Sequence, residues 1–221
     1  MTGGAVQRGQ AERERVNERL RELLSAAGLS EVADAVLNQF ADYLFLLMRW
    51  NARTNLTAIR DEEGIIARHF VESIACAQAL PKGIQSLLDF GSGAGFPGIP
   101  IALCRPEIAV TLAESQGKKA AFLQEAKRVL GIAVTVHAER AELLQDRFDC
   151  VTLRAVDRME TAMRLGAALV RPGGWLAPLT SEAEWEKLRE AAGEGFQWQA
   201  GVRLPGSSSS FLALGRKTGG L

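Results

Sequence analysis

The chain has 221 residues, of which 47% are hydrophobic and 24% are charged, as expected for a globular protein with a sizeable core. Its 26 basic residues balance its 26 acidic ones, which argues against tight, indiscriminate nucleic-acid binding but allows a local basic face. No apolar run reaches the roughly 18 residues that cross a bilayer, and residues 1–10 lack the apolar stretch of a secretory signal, so we expect a cytoplasmic protein.

Residues 1–83 are predicted to form an N-terminal helical extension. Apolar residues recur at helical spacing in two segments, Ala11–Ala27 and Glu31–Trp50. Gly28 is expected to end the first helix, and Ser30 is a candidate cap for the second. A third helix is predicted to begin at Asp61, as its N-cap, and to end before Pro81.

From residue 84 to residue 217 short apolar runs alternate with helical stretches, which predicts a Rossmann-like α/β domain with a mostly parallel sheet. The predicted strands are Ser86–Phe90, Ala109–Glu114, Ala133–His137, Phe148–Leu153 and Trp175–Leu179. The helices predicted between them are Ile99–Cys104, Lys118–Leu130, Met159–Leu169 and Ala183–Ala192. Two late strands, near residues 197–204 and 210–215, predict an antiparallel hairpin at one edge. Residues 218–221 are predicted to be a disordered tail, and the chain as a whole a single compact unit.

The first predicted strand runs directly into a glycine-rich turn that contains Gly91, Gly93, Gly95 and Gly98. Glycines allow a tight turn and a close approach to a ligand, and ligands of open α/β sheets bind beyond the carboxyl ends of the strands. The last three glycines also match a dinucleotide fingerprint, so an NAD(P)-dependent oxidoreductase remains an alternative. However, that match begins two residues late. The acidic Asp89 before the turn suits a ligand with a cationic amino-acid end, such as S-adenosylmethionine.

Three further side chains are placed at or after the ends of predicted strands. Glu114 ends the second strand, where a carboxylate can accept hydrogen bonds from both ribose hydroxyls of an adenosine-type ligand. Glu142 follows the third strand and could lie against an adenine, although an exposed short helix would have the same sequence pattern. Arg154 ends the fourth strand and could pair with a carboxylate or a phosphate; the alternative is a surface salt bridge. The scattered cysteines and histidines predict no metal site.

Three segments resemble a known family. They are Trp50-Asn51-x-x-x-Asn55-Leu56-Thr57-x-x-Arg60 with the following Arg68-His69-x-x-Glu72-Ser73, the run from Asp89 to Pro100, and Arg154-Ala155-Val156. The chain resembles the bacterial small-subunit ribosomal RNA guanine-N7 methyltransferase G family, also called glucose-inhibited division protein B. The resemblance implies a class I methyltransferase fold with an N-terminal helical extension, S-adenosyl-L-methionine as methyl donor, and N7 of a guanine in 16S rRNA as acceptor.

The resemblance also implies site residues. Positions that match the cofactor contacts of the family are Gly91, Phe96, Ala141, Glu142 and Arg154, and Glu114 matches its acidic residue after the second strand. Three departures concern the acceptor side: Glu72 stands where the family usually has Asp, Leu179-Thr180 replaces a usual Lys-Gly, and a basic residue is missing within Ser207–Ser210. A non-catalytic ribosome-assembly or RNA-binding module is therefore kept as a second alternative.

The expected chemistry needs no general base, because guanine N7 carries a lone pair and no proton. We therefore assign no catalytic base, and Arg154 is at most a positioning residue. The expected partner is 16S rRNA or the small ribosomal subunit, bound by a monomer. The candidate RNA-binding residues are Trp50, Asn51, Arg53, Asn55, Arg60, Arg68, His69, Lys118 and Lys119. For Trp50 packing against the sheet domain is the favoured alternative, for His69 a structural role is equally supported, and the lysines are more simply solvated.

Overall fold

The computed structural model describes residues 3–206 and 209–219. The N-terminal helical extension contains α1 (Gly3–Ala26), α2 (Asp34–Asn51), α3 (Glu62–Gly64), a π-helical segment (Ile65–Phe70) and α4 (Val71–Ala79). Asp61 caps α3 as predicted, because its carboxylate accepts the Gly64 amide at 2.7 Å. The predicted Ser30 cap is wrong: Ala33 precedes α2, and the Ser30 amide donates to the Gln78 side chain at 3.0 Å.

The remaining chain forms one mixed sheet with flanking helices, which confirms the predicted fold class. The parallel strands are β1 (Ser86–Phe90), β2 (Ala109–Ala113), β3 (Thr135–His137), β4 (Phe148–Arg154) and β5 (Val170–Ser181). The intervening helices are α5 (Gly98–Cys104), α6 (Gly117–Leu130), α7 (Met159–Leu169) and α8 (Glu182–Ala192). The spatial order is β3-β2-β1-β4-β5, so the order of the strands reverses beside β1 and β4, where open α/β sheets bind their ligands.

The predicted antiparallel hairpin is present, but each of its two strands is broken into two. The short strands are β6 (Phe196–Trp198), β7 (Val202–Arg203), β8 (Ser210–Leu212) and β9 (Gly215–Lys217). Both β8 and β9 pair with β5, and the break between them lies opposite Pro178, which has no N–H to continue the ladder. The predicted disorder of the tail is wrong for Thr218, whose amide donates to the Gly195 carbonyl at 2.9 Å. Gly220 and Leu221 lie outside the described residues.

The alternation of side chains along the strands divides the core between the two faces of the sheet. Leu87 and Leu112 belong to a core that the helical extension shares through Leu20 and Phe40. Leu88 belongs to a second core on the opposite face. The extension therefore packs on one face of the sheet, and this packing brings it to the edge where β1 ends. In the ranges that the structure describes, no helix has both the length and the apolar composition of a membrane span.

Candidate functional site

A pocket of about 600 Å³ opens at the carboxyl edge of the parallel strands. Its walls come from the turns after β1, β2, β3 and β4, and from residues 56–59 and His69 of the helical extension. Most of the predicted cofactor-side residues meet there, namely Gly91, Gly93, Phe96, Glu114, Ala141, Glu142 and Arg154. The strand-end argument therefore located one site from residues that are far apart in sequence.

The glycine-rich turn brings the backbone to the pocket, but not all of its glycines line it. Gly91 has a φ of 70°, and a Cβ there would meet Val156 Cγ2 at 3.0 Å. Gly95 does not have its predicted contact with the cofactor pocket, because it lies behind the pocket wall. A Cβ on Gly95 would meet Ile99 Cδ1 at 2.5 Å and the Tyr43 hydroxyl at 2.8 Å. Close packing against the extension, rather than access to a ligand, explains this glycine.

Asp89 holds the turn and does not line the pocket, contrary to its predicted contact with a cationic ligand group. Its buried carboxylate accepts the Gly98 amide at 3.1 Å and the Thr152 hydroxyl at 3.0 Å. Burial raises the pKa of Asp89 to about 6, and the hydrogen bonds from its neighbours oppose that rise. Asp89 therefore holds the glycine-rich turn after β1 and links it to β4.

Glu114 links two of the turns that form the pocket. One carboxylate oxygen accepts the Gly93 amide at 2.9 Å and the other accepts the Gln116 amide at 2.8 Å. An ionised carboxylate has about four lone-pair sites, so each oxygen can accept a further hydrogen bond from a ligand. Glu114 is therefore positioned to accept hydrogen bonds from the hydroxyl groups of a ligand.

The turn after β3 contributes a short 3₁₀ helix, Ala141–Leu143, to the pocket wall. Ala141 is buried, and Glu142 lies 3.4 Å from the guanidinium of Arg140. The exposed short helix weighed as an alternative for this sequence is present, and it lies beside the pocket. A flat apolar ring could lie against Ala141 while its polar edge meets Glu142.

Arg154 is paired within the protein by a carboxylate that the sequence did not identify as its partner. Its Nη2 lies 2.6 Å from Glu72 Oε2 and also donates to the Arg68 carbonyl at 2.9 Å. Burial raises the pKa of Glu72, while the adjacent Arg154 guanidinium lowers it. The pair joins the end of β4 to α4 of the extension.

His69 belongs to the wall of the pocket, whereas the sequence placed it among the RNA contacts. Its ring stacks on Phe96 with 4.6 Å between centroids, and its Nε2 lies 2.7 Å from the Thr57 hydroxyl. Burial, with smaller contributions from Arg154 and Arg68, lowers the pKa of His69 to about 3. The imidazole is therefore neutral at physiological pH and does not supply a charge for phosphate binding.

Two other predicted RNA contacts are structural. Trp50 donates its indole N–H to Glu125 at 2.9 Å and packs edge-on against Phe122, both in α6, which favours the alternative of packing against the sheet domain. Asn51 is buried, and its side-chain oxygen accepts the amides of Leu56 and Thr57. Both side chains are committed to internal contacts, which supports a structural role for them, and their contact with RNA stays a prediction.

The remaining candidates keep polar groups at the surface around the pocket. Asn55 accepts from the Arg60 guanidinium at 2.7 Å, and both residues are exposed. The other exposed cations of this group are Arg53, Arg68 and Lys118, while Lys119 is partly buried and lines the pocket.

A smaller pocket of about 370 Å³ adjoins the first and shares Arg154, Ala155 and Val156 with it. Four residues at which the sequence departs from the family pattern line this smaller pocket: Glu72, Leu179, Thr180 and Ser210. Ser207 and Ser208 lie outside the described residues.

Comparison with known proteins is consistent with this geometry. The family model described as GidB, rRNA small subunit methyltransferase G, matches residues 36–199. A protein named ribosomal RNA small subunit methyltransferase G from Roseiflexus castenholzii is 45% identical over 161 residues, 69% of each chain. A protein of the same name from Neisseria meningitidis serogroup B is 40% identical over 77% of this chain and 83% of its own.

Among solved structures, a T. Thermophilus 16S rRNA methyltransferase in complex with AdoMet and guanosine is similar with a TM-score of 0.54. It is 16% identical, and the match covers 69% of this chain and 41% of that one. At this identity the likeness concerns the fold, which is that of a class I methyltransferase.

Proposed function

Since the chain belongs to the rRNA small subunit methyltransferase G family, we propose that it transfers a methyl group from S-adenosylmethionine to N7 of a guanine in 16S rRNA. The family match and the methyltransferase fold give no support to an oxidoreductase or to a non-catalytic module. Ribosomal subunits are made in the cytoplasm, so the enzyme would act there.

The observation that supports this proposal best is the set of groups around the larger pocket. Glu114 has lone pairs to spare for two ribose hydroxyls, and Ala141 with Glu142 offers a wall and an acceptor for an adenine ring. Gly93 leaves room for the ligand, since a Cβ there would meet no atom nearer than the Gly91 carbonyl oxygen at 3.9 Å. When bound, S-adenosylmethionine supplies an electrophilic methyl group on its sulfonium.

The protein contributes positioning and the exclusion of water rather than acid–base chemistry. Guanine N7 attacks with its own lone pair, so no proton has to be removed before methyl transfer. A neutral His69 against Phe96 provides a dry wall for this step. The Glu72–Arg154 pair limits the net positive charge beside the pocket, which favours a cationic donor.

The decisive experiment has a binding part and a reaction part. Calorimetry should show that S-adenosylhomocysteine binds the protein, and that Glu114→Gln weakens binding by about tenfold. Incubation of unmethylated small subunits with the enzyme and the donor should add one N7-methylguanine to 16S rRNA, located by mass mapping. Glu107→Gln, an exposed change at the opposite edge of the sheet, should behave as wild type. Absence of both binding and methylation would refute the proposal.

We also propose that the exposed cations around the pocket, Arg53, Arg60, Arg68, Lys118 and Lys119, form the RNA-binding surface. Reversing Arg53 and Arg60 to Glu should weaken subunit binding and flatten its salt dependence, because fewer counterions are released. Reversing Lys82 and Arg128 is the matched control, since these exposed cations lie at the opposite edge of the sheet. Equal effects of the two double variants would exclude this surface.

We further propose that the enzyme acts as a monomer. In the part of the chain that the structure describes, the large exposed apolar residues are Val129, Leu143 and Val202, which belong to three different elements. Sedimentation of the enzyme at assay concentrations would detect a dimer.

A further inference from the structure

Methyl transfer requires a second site, for the acceptor, beside the donor site. The smaller pocket has a suitable position and size for it. It adjoins the larger pocket at residues 154–156, which line both, and its volume of about 370 Å³ is within the range of small-ligand sites. A base held there would lie directly beside the donor pocket, as in-line methyl transfer requires. Thr180 and Ser181, at the end of β5, form its polar far side.

Glu72 supplies an unsatisfied acceptor at this pocket. Its side chain is 3% exposed, and among the described residues its Oε1 has no hydrogen-bond partner. Arg68 Nε lies 3.8 Å from Oε1, too far for a hydrogen bond. A buried acceptor without a donor is costly, so this oxygen indicates that a donor arrives from outside the chain.

Arg154 places donors beside that acceptor. Its hydrogen bonds within the described residues involve Nη1 and Nη2, to Ser73, Arg68 and Glu72. A guanidinium has five N–H donors, so it retains capacity for a ligand. The wall of the smaller pocket therefore contains a buried acceptor, Glu72, next to a donor, Arg154, and Arg154 also lines the larger pocket.

We propose that the smaller pocket receives the acceptor guanine, with Glu72 Oε1 accepting its N1–H and Arg154 donating to its O6. The inference rests on the proposed function and specifies its substrate site. O6 lies between N1 and N7 on the edge of guanine, so reading O6 and N1–H leaves N7 free on the remaining side. To enter such a pocket the guanine has to leave its stack, as bases do in other enzymes that modify them.

The arrangement discriminates between purines. Adenine presents a bare N1 and an amino group in place of N1–H and O6, so it would set a lone pair against Glu72 and a donor against Arg154. Inosine keeps both features of guanine and differs only by the missing amino group at C2. In 1-methylguanosine the N1–H alone is replaced, which makes it the sharpest probe of Glu72.

The test uses the protein saturated with S-adenosylhomocysteine and measures binding of four ligands by saturation-transfer NMR. They are the 5′-monophosphates of guanosine, inosine, adenosine and 1-methylguanosine. Guanosine and inosine monophosphates should bind, and the other two should bind at least about tenfold more weakly, the effect of one hydrogen bond to a charged group. Glu72→Gln should weaken the binding of guanosine monophosphate about tenfold. It should also remove the discrimination between guanosine and 1-methylguanosine monophosphates, which Glu107→Gln should retain.

The controls separate a failure of this inference from a failure of the proposed function. Binding of S-adenosylhomocysteine is measured first on the wild type and on Glu107→Gln, which should agree within about twofold. If the wild type does not bind S-adenosylhomocysteine, the proposed function fails and this inference falls with it. If that ligand binds but guanosine and 1-methylguanosine monophosphates bind alike or not at all, only the acceptor-pocket assignment is overturned. The wild-type comparison remains decisive even if Glu72→Gln does not fold.

Discussion

Two glycines that are two positions apart in the turn after β1 have different physical reasons for being glycine. Gly93 has a φ of 57° and open space where a Cβ would project, whereas Gly95 has a φ of 94° and is crowded by Ile99 and Tyr43. Both conformations disfavour a side chain, but only Gly95 lacks the room for one. The first glycine therefore serves access to the pocket and the second serves packing.

This difference predicts opposite balances between stability and binding. Gly95→Ala should lower the free energy of unfolding by about 2 kcal/mol or more, because a buried methyl group must displace its neighbours. Gly93→Ala should lower the free energy of unfolding by about 1 kcal/mol through its backbone conformation. Relative to that loss, it should weaken the binding of S-adenosylhomocysteine more than Gly95→Ala does. Urea denaturation and calorimetry on both variants measure this, and a larger stability loss for Gly93→Ala would contradict it.

His69 predicts a pH dependence of stability. Its pKa is about 3 in the folded protein against the ordinary value of 6.5 for a solvated histidine, so the unfolded chain binds the additional proton. The contribution of His69 to the free energy of unfolding is fully present above about pH 6.5 and is lost as the pH falls toward 3. By about pH 5 the loss is on the order of 1–2 kcal/mol. Urea denaturation should show a flatter pH profile for His69→Gln, while His137→Gln keeps the wild-type slope. Parallel profiles for wild type and His69→Gln would rule out this assignment.

The segment between α2 and α3 has no regular secondary structure, yet it forms one wall of the larger pocket through residues 56–59. Asn51 organises it from the end of α2. The side chain accepts two amides from the segment and donates to the Ile59 carbonyl at 3.1 Å. The Thr57 hydroxyl accepts the Ile59 amide at 3.2 Å and forms a hydrogen bond with His69 Nε2 at 2.7 Å.

Removing this organiser should loosen the pocket wall. Asn51→Ala breaks three hydrogen bonds and should lower the free energy of unfolding by about 2–3 kcal/mol. The amides of Leu56, Thr57 and Ile59 should exchange faster than in wild type, while those of β4 keep their order of protection. Asn55→Ala, an exposed neighbour, is the control and should leave amide exchange unchanged. Unchanged exchange in Asn51→Ala would show that the segment is held by other contacts.

Sequence patterns located the strands well because burial and alternation are local signals. The bounds of β1 were predicted to the residue, and those of β4 to within one residue at its end. The strand-end rule also brought Glu114, Glu142 and Arg154 to one pocket. It did not show that Asp89 is turned away from the pocket, because the direction of a side chain depends on partners such as Thr152 that only the folded chain brings near. The internal bonds of Asn51, a candidate RNA contact, depend in the same way on Ile59. The Arg154 pairing was hidden for the same reason.

The helical extension and the sheet share one core. The boundary near residue 83 therefore separates two kinds of secondary structure rather than two independently packed domains. Tyr43 donates from α2 to the Ala94 carbonyl in the glycine-rich turn. Gln39 donates to the Leu130 carbonyl at the end of α6 at 2.7 Å. We propose from these ties that the extension does not fold or unfold separately from the sheet.

Native-state hydrogen exchange tests this cooperativity. Amides of Phe40 and Leu44 in α2 should open with the same free energy and the same denaturant dependence as those of Leu88 and Val151 in the sheet. Far-UV circular dichroism and tryptophan fluorescence should then follow one urea transition. A lower opening free energy confined to α2 would establish the extension as an independent unit.

The bond between Glu72 and Arg154 closes a loop of 82 residues, and this has a consequence for synthesis. A ribosome makes the chain from its amino end, so the carboxylate leaves the exit tunnel many residues before the guanidinium that neutralises it. Until then Glu72 is better hydrated than buried, which disfavours completion of the helical layer on its own. We therefore expect the two pockets to form only after translation has passed the fourth strand.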